Sequence, residues 1–522
     1  MCEVAPRPQD SAAGGGLSHP PDSIAVESIA ADSVTRNAVF AVGTRMTTAA
    51  ITAGVTLVLG RVLGPTEYGY FALAMAISAI AVFLSDLGIT PATPRFLAER
   101  THSRAAVRAV LGDALRMKLL AAVPTCAALA LLAGPMANAF DTPEAAGPLR
   151  GMAIVVLAQG LFLFITGAFE ALGRISINLR IVAAESVVEG TAMVLLVALG
   201  AGATGAAFGR AIGYSVGVGI ALAFIWTLLG RGRPEDAQQS GLRPRDIARY
   251  AGALLIIDGI FRLFSQVDVL LIGAVLNGGR AVGLFGIPMM IAWFLHYPAG
   301  AIGSAVAPRL AQRDDRPPEV AAFARALRYI VAFQGIFLAP IVVWAEPILV
   351  HLLGAKYRDS AEVLRALAPF ILLAGPAMLV SVGVNYMGEA RRRIPLAVAM
   401  LVANIGLDLL LLPRIGIVGG AIGNDVAYAI WVPGHMWILH RMLGLELRPQ
   451  VLVIVRATAA AAVAAVPLLL IGSDIGIPVL VLGVALSCAL YLVALRLIGE
   501  LARDDIDFLR SLAARRFAWA RR

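Results

Sequence analysis

Three of the four arginines inside the long apolar segments of this chain are candidates for chemistry, because a charge there needs a partner or a water-filled cavity. Arg45 and Arg262 fall well within their segments, and Arg210 lies inside a third. A charged side chain at the centre of a membrane helix costs about 2.5–3.5 kcal/mol on insertion scales, so it indicates a function or an internal pair. A planar guanidinium forms two charge-assisted hydrogen bonds and stays charged, which suits a diphosphate. The alternatives are an ion pair with Asp258 for Arg262, and a side chain that reaches the membrane surface for Arg210.

Two glutamates lie one helical turn apart in another apolar segment, at positions 185 and 189. Glu185 and Glu189 would share one face of a helix, because residues four apart lie above one another. Two close carboxylates in a low dielectric disfavour double ionisation, so the pair suits coupling to a proton or to Na⁺. The alternative is ordinary pairing with Arg174 and Arg180 near the end of the segment.

The segment that carries Arg262 has further polar residues at Asp258, Gln266 and Asp268. We expect these three side chains to form a second polar cluster. Asp258 and Asp268 are therefore two more candidates for ion coupling.

Other polar residues in the apolar segments have an ordinary structural interpretation. Asn404 and Asp408 lie one turn apart, and interhelical hydrogen bonds that fix packing are their favoured role. His296 and His435 are more often packing or hydrogen-bonding residues than ligands.

The chain lacks the residue patterns of enzymes and of metal or cofactor sites. No Ser/His/Asp or Cys/His set is visible, and the three cysteines give neither a disulfide framework nor zinc spacing. Lys118 and Lys356 are the only lysines, and neither lies in a phosphate-binding loop of the Gly-x-x-x-x-Gly-Lys-Ser/Thr type. We predict a protein that is not an enzyme, holds no metal or cofactor and does not hydrolyse ATP.

The composition is that of a polytopic membrane protein. Of 522 residues, 59% are hydrophobic and only 15% are charged, against about 25% charged in a soluble domain. Apolar runs of the length needed to cross a bilayer recur along the chain. They predict an all-α fold with about fourteen spans: 37–60, 68–89, 113–133, 149–171, 180–200, 204–228, 250–275, 282–307, 326–348, 364–387, 394–412, 417–440, 451–471 and 476–498.

The basic residues predict the orientation of these spans. If the N-terminus is cytoplasmic and the spans alternate, 32 of the 43 Lys and Arg residues fall in cytoplasmic segments and 7 in outside loops. This asymmetry is the positive-inside rule, and it places both termini in the cytoplasm. The net charge of +9 is thereby explained by topology, so nucleic acid is not an expected partner.

Sparse identities at a constant offset of 214 residues indicate an internal duplication. Gly69 maps to Gly283 and Pro94 to Pro308, and the register persists to Tyr214 and Tyr428. Duplicated membrane halves are typical of transporters, with the substrate cavity between them. The predicted organisation is a cytoplasmic tail, an N-terminal lobe, a linker, a C-terminal lobe, two extra helices and a basic amphipathic tail, at 1–35, 36–230, 231–245, 246–445, 446–499 and 500–522.

A short polar stretch between the first two spans carries a family resemblance. It reads Arg61-Val-Leu-Gly64-Pro65-Thr66-Glu67-Tyr68-Gly69. With Ser85-Asp86-Leu87-Gly88 and the later run Asn404-Ile-Gly-Leu-Asp408, it resembles the polysaccharide flippases, which are the Wzx-type exporters of O-antigen and exopolysaccharide. The resemblance covers roughly residues 36–445.

The resemblance implies a substrate and partners. The substrate would be an oligosaccharide on undecaprenyl pyrophosphate, moved across the plasma (inner) membrane for lipopolysaccharide or exopolysaccharide synthesis. Arg45 and Arg262 would then hold the diphosphate during alternating access. Expected partners are membrane lipids, a polysaccharide polymerase and glycosyltransferases.

Three other functions compete with this interpretation. A multidrug antiporter of the related MATE fold would favour acidic rather than basic cleft residues, and a lipid II flippase would share the fourteen spans. A glycosyltransferase or polymerase needs a large outside loop with acidic catalysts. The longest outside loop here, near 135–149, is short and has only two carboxylates.

Overall fold

In a computed structural model, the described residues are 34–98, 104–230, 244–306, 310, 318–387 and 389–500, and they form helices without a single strand. Side chains of residues 34–47 and 244–257 are outside this description. Within the described ranges, nine helical stretches are long and apolar enough to cross a membrane. The predicted all-α membrane fold is therefore confirmed.

The first half of the chain forms six helices. They are α1 (Val34–Asp86), α2 (Ile89–Ala98), α3 (Arg104–Ala139), α4 (Ala146–Ala171), α5 (Ile175–Leu196) and α6 (Gly202–Leu229). A π-helical turn at Val197–Ala201 joins α5 to α6.

The second half and the C-terminal part form eleven helices. They are α7 (Pro244–Val275), α8 (Gly279–Leu295), α9 (Tyr297–Val306), α10 (Val320–Gly335), α11 (Leu338–Leu353), α12 (Ser360–Ala366), α13 (Ala368–Tyr386), α14 (Ile394–Ile415), α15 (Val418–Leu443), α16 (Leu447–Ile471) and α17 (Ile477–Leu497). Short 3₁₀ helices at Ala355–Tyr357 and Ala390–Arg393 precede α12 and α14.

The predicted spans fall on helices of the structure, but the ends differ, and the spans 282–307, 326–348 and 364–387 each extend over two helices. The first two spans belong to one element, α1, which changes direction at Gly64 (φ 75°, ψ 174°). Glycine adopts this backbone conformation without a steric penalty, and Pro65 then restarts the helix because it needs no N–H partner there. The turn predicted at Gly64-Pro65 is thus a sharp break inside a continuous helical run.

Close helix crossings depend on small residues at equivalent positions of the predicted repeat. Gly209 of α6 packs against the backbone of Met193 on α5, and Gly423 of α15 packs against Asn404 and Asp408 on α14. A side chain at either glycine would push the helices apart. The α5–α6 and α14–α15 pairs are thereby held close enough for their polar residues to meet.

The two additional helices are fastened to α10 and α11 near both ends. At one end, Trp344 Nε1 of α11 donates to the carbonyl oxygen of Gly472 at 2.8 Å. At the other, buried Glu500 accepts hydrogen bonds from Arg328 Nε (2.6 Å) and Arg456 Nη1 (2.8 Å). Helices α16 and α17 are therefore attached firmly to the C-terminal part of the bundle.

Several predicted boundaries lie outside the described residues. These are the two tails, apart from residues 34–35 and Glu500, and most of the linker at 231–245. The division into domains stays a prediction.

Candidate functional site

A buried ion pair joins α5 to α6. Arg210 Nη1 donates to Glu189 Oε1, and both side chains are mostly buried, at 19% and 13% exposure. Tyr214 lies one turn along α6, with its ring 5.1 Å from the Arg210 guanidinium carbon. Its hydroxyl oxygen accepts hydrogen bonds from Arg210 Nη2 (3.3 Å) and from Gln159 Nε2 (3.1 Å). Arg210 thus points into the bundle, so the alternative of a side chain that reaches the membrane surface does not hold for this arginine.

Glu185 lies beside this pair and is 4% exposed. Its Oε2 accepts a hydrogen bond from Ser186 Oγ at 3.2 Å, while Oε1 has no hydrogen-bond partner. Both carboxylates therefore face α6. Glu189 pairs with Arg210 rather than with Arg174 or Arg180, because α6 crosses α5 so closely at Gly209 and Gly213.

The ion pair forms one wall of a cavity between α1, α5 and α6 on one side and α7 and α8 on the other. The cavity measures about 270 Å³. Its lining is mostly apolar, with a few polar groups that converge from both sides, which is the usual character of a small-molecule site. The polar lining residues are Thr52, Thr56, Tyr68, Ser186, Glu189, Arg210 and Gln266.

The polar cluster expected on α7 does not form. Gln266 lines the cavity, Asp268 faces α15, and Asp258 lies two to three turns away. The reason is helical geometry: at about 100° per residue, positions 266 and 268 point to nearly opposite faces. The three residues thus belong to three different environments.

Asp268 belongs instead to a fully buried group of four polar residues. Asn424 Nδ2 donates to Asp268 Oδ2, and the carboxylates of Asp268 and Asp408 interact. Asn404 and Asp408 are 0% exposed and leave side-chain atoms without hydrogen-bond partners. Such unsatisfied polar atoms in the bundle interior are costly, so their presence calls for a functional reason. Interhelical packing was the favoured role for Asn404 and Asp408, and the group does lie where α7, α14 and α15 meet.

Arg262 and Asp258 lie on an exposed face of α7. The two do not form an ion pair, because no guanidinium nitrogen of Arg262 lies within 4 Å of an Asp258 carboxylate oxygen. Both Arg262 and a third arginine, Arg393, act electrostatically on the Asp258 carboxylate. In the sequence, Arg393 is only one of the charges that set topology. Its position, directly before the first residue of α14 in a run of three arginines, does not distinguish it from its two neighbours.

Arg45 lies on α1, but its side chain is outside the described residues.

The polar stretch between the first two spans forms a junction with α8 and α11. Arg61 Nη1 donates to the carbonyl oxygens of His351 and Leu352, both at 3.1 Å, at the C-terminal end of α11. Tyr357 donates its hydroxyl proton to the Gly60 carbonyl oxygen at 3.0 Å. A positive side chain is favourable at a helix C-terminus, where carbonyl oxygens lack partners.

Glycines bring the backbones of α1 and α8 together at this junction. A Cβ atom on Gly69 would overlap the carbonyl of Gly279, and one on Gly283 would overlap that of Pro65. At the offset of 214 residues, Gly69 corresponds to Gly283 and Pro65 to Gly279. Each of the two contacts is therefore the repeat equivalent of the other. Such reciprocity is what a two-fold relation between repeats produces.

Residues 34–349 match the family described as polysaccharide biosynthesis protein, over more than half of the chain. The chain belongs to this family. An uncharacterized membrane protein of Methanocaldococcus jannaschii is 25% identical over 179 residues, a match that spans 34% of this chain and 42% of that protein's length.

Two solved structures show the same fold as this member of the polysaccharide biosynthesis family. One is the lipid II flippase MurJ in its inward closed conformation (TM-score 0.71, 11% identity, 88% of this chain and 98% of that chain). The other is a multidrug resistance MATE family transporter of the MOP superfamily in an inward-facing conformation (TM-score 0.61, 17% identity, 81% and 98%). The chain is thus a multi-pass membrane protein with a transporter fold.

Some of the polar groups described above lie within the range of the family match, and others lie beyond it. The match includes the α1–α8 contact of the junction, the Arg210–Glu189 pair and Asp268. It ends at residue 349, before His351, Leu352 and Tyr357 of the junction and before α14 and α15. The partners of Asp268 and the buried Arg393 belong to the part of the chain beyond it.

Proposed function

We propose that this protein is a flippase that moves an undecaprenyl-diphosphate-linked oligosaccharide across the inner membrane by alternating access. The observation that carries the proposal is the cavity between the two predicted halves, which the junction closes at one end. Its polar groups come from both halves, so a glycan bound there would contact each of them. The product would supply lipopolysaccharide or exopolysaccharide synthesis, with a polymerase and glycosyltransferases as partners.

The junction is the outer gate in this proposal. The charge asymmetry assigns the turn at Gly64 and the end of α11 to the outside. Arg61 and Tyr357 hold the two halves together there through hydrogen bonds to backbone carbonyls, which a modest rotation would break one by one. The described conformation is then closed to the outside, with the tails and the linker 231–245 on the cytoplasmic face and the lobes 36–230 and 246–445 as the moving parts.

The arginines take different parts in substrate binding. Arg210 is already neutralised by Glu189, so the pair offers hydrogen bonds to sugar hydroxyls rather than a free positive charge. Arg262 has no ion pair within the described residues and is exposed, and with Arg45 it is assigned to the diphosphate. The isoprenoid chain would stay in the lipid.

Two groups of carboxylates are assigned to ion coupling. Asp268 and Asp408 are the first, because two buried carboxylates with unsatisfied oxygens and two neighbouring amides can take up a proton or a small cation. Glu185 and Glu189 are the second, beside the cavity itself. Asp258 is reassigned from coupling to the neighbourhood of the arginines.

Complementation tests the proposed function. Deletion of the gene in its host should abolish surface polysaccharide and cause undecaprenyl-linked oligosaccharide to accumulate, and the wild-type gene should restore both. Arg45→Ala and Arg262→Ala should restore neither at equal expression. Arg414→Ala is the matched control, because Arg414 is exposed and bonds only to a carbonyl of its own helix.

Other outcomes point to other functions. Normal polysaccharide with altered sensitivity to cationic drugs would overturn the proposal in favour of an antiporter. Accumulation of the peptidoglycan precursor instead of the oligosaccharide would indicate a lipid II flippase. Full rescue by both alanine variants would remove the arginine assignment and keep the flippase.

A further inference from the structure

We propose that Arg393 forms a diphosphate-binding subsite in the C-terminal half, at the inner mouth of the cleft. The Asp258 carboxylate competes with the diphosphate for this arginine. This inference rests on the proposed function, since it names where the lipid headgroup first binds.

Arg393 is a buried charge whose hydrogen bonds go to neutral groups. It is 8% exposed, its Nε donates to His435 Nε2 at 3.1 Å, and its Nη1 donates to Asn385 Oδ1. Its guanidinium carbon lies 5.3 Å from the centroid of the Trp431 ring. Among the described residues no carboxylate lies within 4 Å of Arg393, whereas Lys118, Arg210, Arg328 and Arg456 all have one.

The hydrogen bonds require His435 to be neutral. Its Nδ1 lies 2.8 Å from the Trp431 carbonyl oxygen, which only accepts, so Nδ1 carries the proton. Its Nε2 faces an arginine N–H, which only donates, so Nε2 accepts. The group around Arg393 therefore holds one unbalanced positive charge, and a buried charge without a counter-ion is costly.

The face of α7 that meets this group adds a second cation and one anion. Phe261 contacts Trp431, with ring centroids 6.2 Å apart, and Asp258 lies one turn before Phe261 on the same face of α7. Arg262 lies one turn after Asp258. Arg393 and Arg262 both act on the Asp258 carboxylate without a close ion pair. A monovalent carboxylate thus interacts with two arginines, and a diphosphate, with more charge and more acceptor oxygens, would interact with them more strongly.

The depth of the site favours a lipid headgroup. Arg393 precedes Ile394, the first residue of α14, at the end that the charge asymmetry assigns to the cytoplasm. The end of a membrane-spanning helix is where the headgroup region of the bilayer is expected. Asn385 and Tyr386 of α13 are exposed next to it, so the site is open to a ligand that arrives from the inner leaflet.

A binding experiment with short probes tests the subsite. Purified full-length protein in phosphatidylcholine nanodiscs is titrated with farnesyl diphosphate, farnesol and inorganic pyrophosphate, and Kd is measured by microscale thermophoresis. The wild type should bind farnesyl diphosphate at least about tenfold more tightly than farnesol, and Arg393→Gln should lose about tenfold or more of that affinity. Arg391→Gln is the matched control, because Arg391 is exposed on the same 3₁₀ helix and its loss changes the net charge equally.

A second variant, which is expected to gain affinity, keeps the subsite testable if Arg393→Gln misfolds. Asp258→Asn removes the competing carboxylate and should tighten farnesyl diphosphate binding severalfold. If Arg393→Gln does not fold, this variant decides: tighter binding supports the subsite, and equal or weaker binding overturns it.

The remaining outcomes separate this inference from the proposed function. Unchanged affinity in Arg393→Gln would overturn the subsite alone. Equal wild-type affinity for farnesyl diphosphate and farnesol would overturn both the subsite and the diphosphate-linked substrate. Pyrophosphate binding as tight as farnesyl diphosphate would overturn the lipid source and indicate a site for free phosphate.

Discussion

At the scale of single residues, the charges inside this protein fall into balanced and unbalanced groups. Lys118 pairs with Asp86, and Arg210 pairs with Glu189, each inside the bundle. Such pairs contribute little net stability, but the removal of one partner leaves a buried charge uncompensated. Pairing within the bundle thus distinguishes charges that are already neutralised from those that still lack a close counter-ion.

The Arg210–Glu189 pair gives a stability prediction. Arg210→Gln should destabilise the protein by about 3–5 kcal/mol, because Glu189 is then buried without its partner. The double variant with Glu189→Gln should recover much of that loss, as measured by thermal unfolding in detergent. Arg180→Gln, at an exposed position of α5, is the control with equal charge change. A double variant less stable than Arg210→Gln would contradict the prediction.

The sequence predicted which residues matter here better than it predicted their partners. Periodicity placed Glu185 and Glu189 on one helix face, and the structure keeps them there. Their partner Arg210 is 21 residues away on α6, and only the crossing at Gly209 brings the two together. The separation of Gln266 from Asp268 followed from helical geometry alone, whereas the burial of Arg393 depends on α13 and α15 and has no local signal.

At the scale of helices, the junction determines whether the two halves can meet. Hydropathy and the Gly64-Pro65 signal predicted two spans with a turn, and both features are present. The contact of α1 with α8 was not predictable in this way, since it requires two glycines more than two hundred residues apart. The constant offset between the repeats was the one indication in the sequence that Gly69 and Gly283 correspond.

The junction predicts how accessibility changes when the gate is obstructed. Gly69→Ala places a methyl group against the Gly279 carbonyl, so the closed gate should be disfavoured. A Gln266→Cys reporter in a cysteine-free background should then react faster with a membrane-impermeant thiol reagent added outside.

The control for the gate lies on the same helix. Gly54→Ala meets no atom within 4 Å and should leave the labelling rate unchanged. Equal rates in the Gly69→Ala and Gly54→Ala proteins would show that the junction does not act as a gate.

At the scale of the whole molecule, orientation is the prediction on which the gate and the subsite both depend. Alkaline phosphatase fused after Arg358 should be active, because this loop is assigned to the outside. Fusions after Ser240 and after Arg393 should be inactive, and a green fluorescent protein at the same positions should give the reverse pattern. An active phosphatase after Arg393 would invert the assignment and place the subsite at the outer mouth.

Helices α16 and α17 make the C-terminal half larger than the N-terminal half in the plane of the membrane. Glu500 and Trp344 fasten them to α10 and α11, so they move with the C-terminal half whenever the halves rotate. That half then displaces more lipid and presents a longer hydrophobic perimeter, which makes its position more sensitive to hydrocarbon thickness and lateral tension. If the halves rotate as proposed, the balance between the two conformations should depend on the surrounding membrane, and acyl-chain length should change the rate of transport.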